Sequence, residues 1–209
     1  MDPPPGERAL PPEAWPALAL RRVRASAVVR SLGAFRFEQP CLLFLGLLSL
    51  DTGHRERAAS YLVQALDVAE RTGVEFWGPT VHCALALTLT DPEERGRSLD
   101  DGEAALLRGC VGHNHLLFYP LAMETALELG DAPRVSHYRG GLARATREEP
   151  LHWARFFIDR AGALWDAQQD PTGSGWRAPL EALRGRAHEY QYNQATVKIE
   201  QALEGATES

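Results

Sequence analysis

The chain has 209 residues, 44% of them hydrophobic and 24% charged, with a formal net charge of −6. That length is enough for one continuous core, and the composition is that of an ordinary globular protein. The negative balance argues against a general nucleic-acid or anionic-membrane binder, either of which needs surplus positive charge.

Residues 1–12 hold five prolines and few core formers, so they are expected to be a disordered leader. They lack the basic-then-apolar order of a signal peptide, and their abrupt start suggests a chain cut from something longer. Residues 13–209 read as one helical domain with no alternating strand pattern. Helices are predicted near 13–32, 37–51, 55–71, 76–89, 93–108, 115–129, 132–147, 151–168, 177–190 and 194–204. Arg21, Arg22, Arg24 and Arg30 on the first of these are read as a solvated face rather than a nucleic-acid contact. The apolar run Pro40–Leu50 covers about 11 residues, half of the roughly 20 that a membrane span needs. It reads as a buried core helix.

The breaks carry turn chemistry: Asp51-Thr52-Gly53, Arg71-Thr72-Gly73, Thr90-Asp91-Pro92, Gly130-Asp131 and the segment Asp170–Gly175. Such short connections favour antiparallel neighbours. On the 55–71 helix, Ala58, Leu62, Ala65, Leu66 and Ala69 form one apolar stripe, with Arg57, Ser60, Gln64, Asp67, Glu70 and Arg71 off it. Alanines on the buried face let a partner helix approach closely. Ala195, Ile199, Ala202 and Leu203 make a shorter stripe on a last helix, which would cap the stack.

Leu42, Leu45 and Gly46, followed by Gly53, Ala58, Leu62 and Ala65, have the spacing of a tetratricopeptide-type helix pair. Aligned on Gly46, compact residues recur at Ala84, Met123 and Gly162, a period of about 39 residues. The expected fold is therefore all-α, a tetratricopeptide-like α-solenoid of antiparallel helix pairs. Two places strain it. Pro120 inside a helix costs about 3 kcal/mol if uncompensated. Gly140 and Gly141 sit mid-helix at about 1 kcal/mol each, so that helix breaks or a neighbour packs on bare backbone.

Cys41, Cys83 and Cys110 are odd in number and lack CxxC spacing, so buried free thiols in a reducing, cytoplasmic compartment are expected. Lys198 is the only lysine and follows Val197, which removes a phosphate-binding GxxxxGK[ST] loop. A Schiff-base role for it is set aside, since its helix is polar with no sign of burial. Cys110, His113 and His115 form the sharpest candidate cluster, and three such ligands with an open position would suit catalytic zinc. The plainer reading has Asn114 or His113 capping the helix from His115 onward. The pairs Asp100-Asp101, Glu93-Glu94 and Glu148-Glu149 read as solvated charge at helix ends, not as acid–base pairs. Phe118, Tyr119, Trp153, Phe156 and Phe157 are mostly core, with Tyr119 and Trp153 as the candidates for a ligand or peptide surface.

Two runs, Gly109–Tyr119 (GCVGHNHLLFY) and Glu149–Leu164 (EPLHWARFFIDRAGAL), carry a family likeness. Over about residues 40–204 the chain resembles the C-terminal tetratricopeptide-like region of large bacterial signalling proteins. In these a class III adenylate or guanylate cyclase domain precedes an AAA-type ATPase and then helical repeats. The chain departs from that family in lacking an ATPase phosphate loop, in having no room for a cyclase sheet, and at Pro120 and Gly140-Gly141. The resemblance thus implies a repeat arm without enzymatic activity or cofactor, which binds a protein segment or helps regulate a cyclase or ATPase. The candidate binding residues, read from the loop cluster and the aromatics, are His113, Asn114, His115, Tyr119 and Trp153. The alternatives are a small zinc enzyme or metal sensor on Cys110, His113 and His115, and a truncated remnant with no role of its own.

Overall fold

Nine helices and no strand are present among the described residues. The computed structural model describes residue 28 and residues 37–205. The predicted leader and most of the predicted 13–32 helix, its four arginines included, lie outside them. The helices are α1 (Glu38–Asp51), α2 (Arg55–Thr72), α3 (Val74–Ala86), α4 (Pro92–Arg108), α5 (His113–Leu129), α6 (Ala132–Ala145), α7 (His152–Gln169), α8 (Arg177–Glu189) and α9 (Asn193–Gly205).

Local chemistry sets their ends. Asp91 and Asp131 each accept a hydrogen bond from the backbone N–H three residues on, at 2.9 Å and 3.0 Å, and a proline follows within the first turn. Gly130 closes α5 in the left-handed region at φ 65°, and Asp131 N–H then bonds Ala126 O at 3.0 Å. One glycine and one aspartate thereby end α5 and start α6. Differences from the predicted bounds are largest at α3, expected over 76–89. Gly73 turns the chain at φ 116°, so the helix begins directly after it. It ends early because Leu87 and Thr88 tighten to three-residue backbone bonds and Thr88 Oγ1 donates to Leu85 O at 2.8 Å. The helix expected from 115 starts at His113, and neither Asn114 nor His113 caps it. Gly112 takes the cap position and, as a glycine, offers no side-chain hydrogen bond, while Asn114 is turned inward.

Each helix packs on the next, and the odd-numbered ones also pack in a row, α1 on α3, α3 on α5, α5 on α7 and α7 on α9. Direction follows from paired contacts. Thr80 bonds Asn114 and Cys83 bonds Phe118, so α3 and α5 run parallel. Asp100 pairs with Arg134 and Glu103 with His137, so α4 and α6 do too. Parallel next-neighbours are what a stack of antiparallel hairpins requires, and the arrangement is compatible with a solenoid. Odd-numbered helices begin 36, 39, 39 and 41 residues apart.

The four compact positions, Gly46, Ala84, Met123 and Gly162, are all buried on odd-numbered helices. A Cβ on Gly46 would lie 2.6 Å from Leu62 Cγ, so bare backbone is what lets α2 cross α1 there. At Gly162 the Arg139 guanidinium takes the equivalent space, 2.6 Å from the missing Cβ. The mid-helix Gly141 is filled by the Tyr119 ring, so α6 stays intact and a neighbour rests on its backbone. α5 likewise runs unbroken through Pro120, and α3 through Pro79. The buried side chains form two clusters. A smaller one spans α1 to α3 around Leu43, Leu62 and Val81, a larger one spans α3 to α9, and Leu121 touches both.

Candidate functional site

The odd-numbered helices share one concavity. A cavity of about 700 Å³ is lined by α1, α3, α5, α7 and α9, and the last helix returns to the first. Gln194 Nε2 on α9 donates to Asp51 Oδ2 on α1 at 2.5 Å, joining residues 143 positions apart. The walls follow helical spacing. α5 contributes Leu117, Leu121, Glu124 and Glu128, one stripe that turns from apolar to acidic. α7 contributes Trp153 and Phe157, ring centroids 4.9 Å apart, and then Arg160. On α1, Leu43, Phe44, Leu47 and Leu50 precede Asp51.

The charged end is a ladder of five side chains. Arg160, only 3% exposed, pairs with Glu124, and its Nε–H donates to Ala195 O at 2.9 Å. Lys198 Nζ lies 2.8 Å from Glu124 Oε2 and 2.8 Å from Glu128 Oε1. Arg95 closes the row with Nη2 2.5 Å from Glu128 Oε2, while its Nε–H holds the Ala86 carbonyl at the end of α3. Burial pushes the Glu124 carboxyl up, but the charges of Arg160 and Lys198 outweigh it and hold the group below the usual carboxylate range. Burial likewise raises Glu128, and the hydrogen bond and charge of Lys198, then those of Arg95, bring it below that range. Lys198 is lowered by burial and raised further by the two glutamates, ending above its ordinary value.

Sequence reasoning missed this ladder. Lys198 was expected to lie without burial, yet its side chain is 34% exposed and bridges two carboxylates, because α9, packed on α8 and α7, brings it across to Glu124 and Glu128 on α5. Two signals were available: acidic Glu124 and Glu128 continuing an apolar stripe, and the chain's single lysine on the last helix.

The residues singled out in the sequence scatter. Trp153 lines the groove. Tyr119, offered as a ligand surface, is instead 6% exposed and packed on Gly141 in the core, with burial raising its phenol. Asn114 is fully buried: its Nδ2 donates to Phe76 O at 2.9 Å and Val111 O at 3.1 Å, and Oδ1 accepts from Thr80 Oγ1 at 2.8 Å. It ties the start of α5 to the first turn of α3. His113 stacks on Trp77 with centroids 4.0 Å apart, and burial lowers its pKa against a raising backbone hydrogen bond at Phe76. His115 borders a separate hollow with Leu116, Thr146 and Glu149. Among the described residues no three His, Cys, Asp or Glu side chains converge as metal ligands, and Cys110, His113 and His115 do not form such a set. Of the cysteines, Cys83 is buried, while Cys41 and Cys110 are half-buried. No helix of the described residues is long and apolar enough to cross a membrane.

Comparison with family models, with curated proteins and with solved structures found no significant match to this chain. The class is therefore defined by its own architecture: an all-α protein of packed helices around a groove.

Proposed function

We propose that this chain is a non-enzymatic, tetratricopeptide-like binding module, a regulatory arm that holds a guest in its groove and passes that state to a protein partner. The observation that supports this is the convergence of five helices on one cavity, four of whose charged side chains, Arg160, Glu124, Lys198 and Glu128, pair with one another. General acid–base catalysis needs a group that exchanges its proton near the working pH. Glu124 and Glu128 are held below their usual range and Lys198 above its own, so none of the three is poised to do so. The cavity volume of about 700 Å³ lies within the roughly 300–1,000 Å³ of small-molecule sites.

The partner implied by the sequence resemblance is a bacterial cyclase or ATPase domain in the cytoplasm, either attached or separately encoded. Co-expression with a bacterial class III cyclase domain or an AAA-type ATPase domain, followed by turnover measurements, tests this. The arm is expected to change turnover, and Leu121→Arg, which fills the groove with charge, is expected to abolish the change. Turnover indifferent to both the arm and the variant refutes the proposal. Val197, 50% exposed where α9 borders the groove, favours a second reading in which an apolar segment of the partner is itself the guest.

A further inference from the structure

The groove is chemically polarised. On α1, α5 and α7 alike, apolar lining residues come first along the helix and charged ones follow: Leu47 before Asp51, Leu121 before Glu124, Phe157 before Arg160. A guest that matches both ends must carry an apolar body and one polar head.

The ladder specifies the sign of that head. Each of its four carboxylate oxygens already receives an ionic hydrogen bond: Glu124 from Arg160 and Lys198, Glu128 from Lys198 and Arg95. The cations are not used up. An ammonium has three N–H donors and a guanidinium five, and the ladder engages two on Lys198 and two on Arg160, counting the bond to Ala195 O. Three cations face two carboxylates, so the row starts and ends on positive charge. Across the cavity Asp51 and Arg55 offset each other, with Asp51 held by Gln194 and Arg55 bonded to Leu89 O at 3.3 Å. What remains for a guest at the wall is the unused N–H donors of Lys198 and Arg160, in a partly desolvated place where their charge counts most. The third cation, Arg95, lies outside the lining and adds the row's surplus positive charge through Glu128.

Resting on the reading that the groove holds a guest, we propose that the guest is a small amphipathic monocarboxylate. Its apolar body lies along Leu117, Leu121, Trp153 and Phe157, and its carboxylate accepts from Lys198 and Arg160. No covalent step is involved. Binding an acid here completes the charge balance of the ladder and presses α9 against α5 and α7.

Octanoate, octylamine and octanol are the probes, titrated calorimetrically into the full chain. Octanoate is expected to bind about tenfold more tightly than either of the others, an energy difference of about 1.4 kcal/mol. Lys198→Gln is expected to remove that preference, and Lys198→Arg, which keeps charge and donors, to restore it. Octylamine or octanol binding as well as octanoate, with all three lost in Leu121→Arg, overturns the carboxylate assignment while leaving the groove as a binding site. An uncharged, end-blocked apolar peptide that binds more tightly than octanoate also overturns it, in favour of a partner segment. Failure of every probe and peptide overturns both the assignment and the groove reading.

Discussion

Replacing Glu124 by Gln and Arg160 by Met, singly and together, measures the most buried link of the ladder. The two losses are unequal by design of the site. Without Glu124, the Arg160 guanidinium at 3% exposure keeps only the neutral carbonyl of Ala195 as a partner. Without Arg160, Glu124 still has Lys198 at 2.8 Å. Breaking a buried ion pair by removing one partner costs about 3–5 kcal/mol, and the 18% exposure of Glu124 places this pair at the lower end. Glu124→Gln is therefore expected to cost about 3 kcal/mol and Arg160→Met about 2 kcal/mol. The double variant should cost less than their sum by about 2 kcal/mol, since the second change removes the charge that the first left stranded. Urea unfolding followed by circular dichroism supplies the numbers, with an unchanged m value showing that the unfolded state is the same. Additive losses, or Arg160→Met costing more than Glu124→Gln, would show that the ladder is not coupled as described.

Two further outcomes are expected. Gly46→Ala should destabilise by about 1 kcal/mol, because crowding Leu62 costs about 1–3 kcal/mol against a helix-propensity gain of about 1 kcal/mol. Gly185→Ala, in α8 with open space around it, should stabilise by about 1 kcal/mol, and thermal melts giving both variants the same sign would contradict the crossing at Gly46. Stability should also follow pH in a definite direction. Glu124 and Glu128 lie below their unfolded values, so their contribution is complete above about pH 4.3 and is lost as pH falls through the lower folded values. Lys198 lies above its own, so its contribution is complete below about pH 10.4 and fades as pH rises through the higher folded value. Urea midpoints across that range should form a plateau with two falling limbs. An acid limb unaltered in Glu124→Gln/Glu128→Gln would remove the ladder as its cause.

Helix existence was legible because it depends on local spacing. Of the α2 stripe read from Ala58, Leu62, Ala65, Leu66 and Ala69, all are buried but the half-buried Leu66, and the six polar residues off it are exposed. Gly46 could be placed at a crossing because a small residue between leucines at helical spacing has few other uses. The ladder could not be read in this way. Its members are 33, 36, 70 and 74 residues apart in sequence, and only the return of α9 brings Lys198 to Glu124 and Glu128. Asn114 and Tyr119 show the reverse error: a polar and an amphipathic residue near a suggestive cluster, each with an interior partner that spacing does not disclose. Asn114 answers the carbonyls of α3, and Tyr119 answers the missing side chain of Gly141.

Among the described residues, α1 and α9 are not packed extensively on each other, and the Gln194–Asp51 hydrogen bond is what joins them. Every other step around the wall, from α1 through α3, α5 and α7 to α9, is a helix-on-helix contact. The wall of the groove thus has a seam, where parting the first and last helices would break that one hydrogen bond and leave the other junctions in place. Any motion that widens the groove is consequently read out as a change in the distance between the two extremities of the stack.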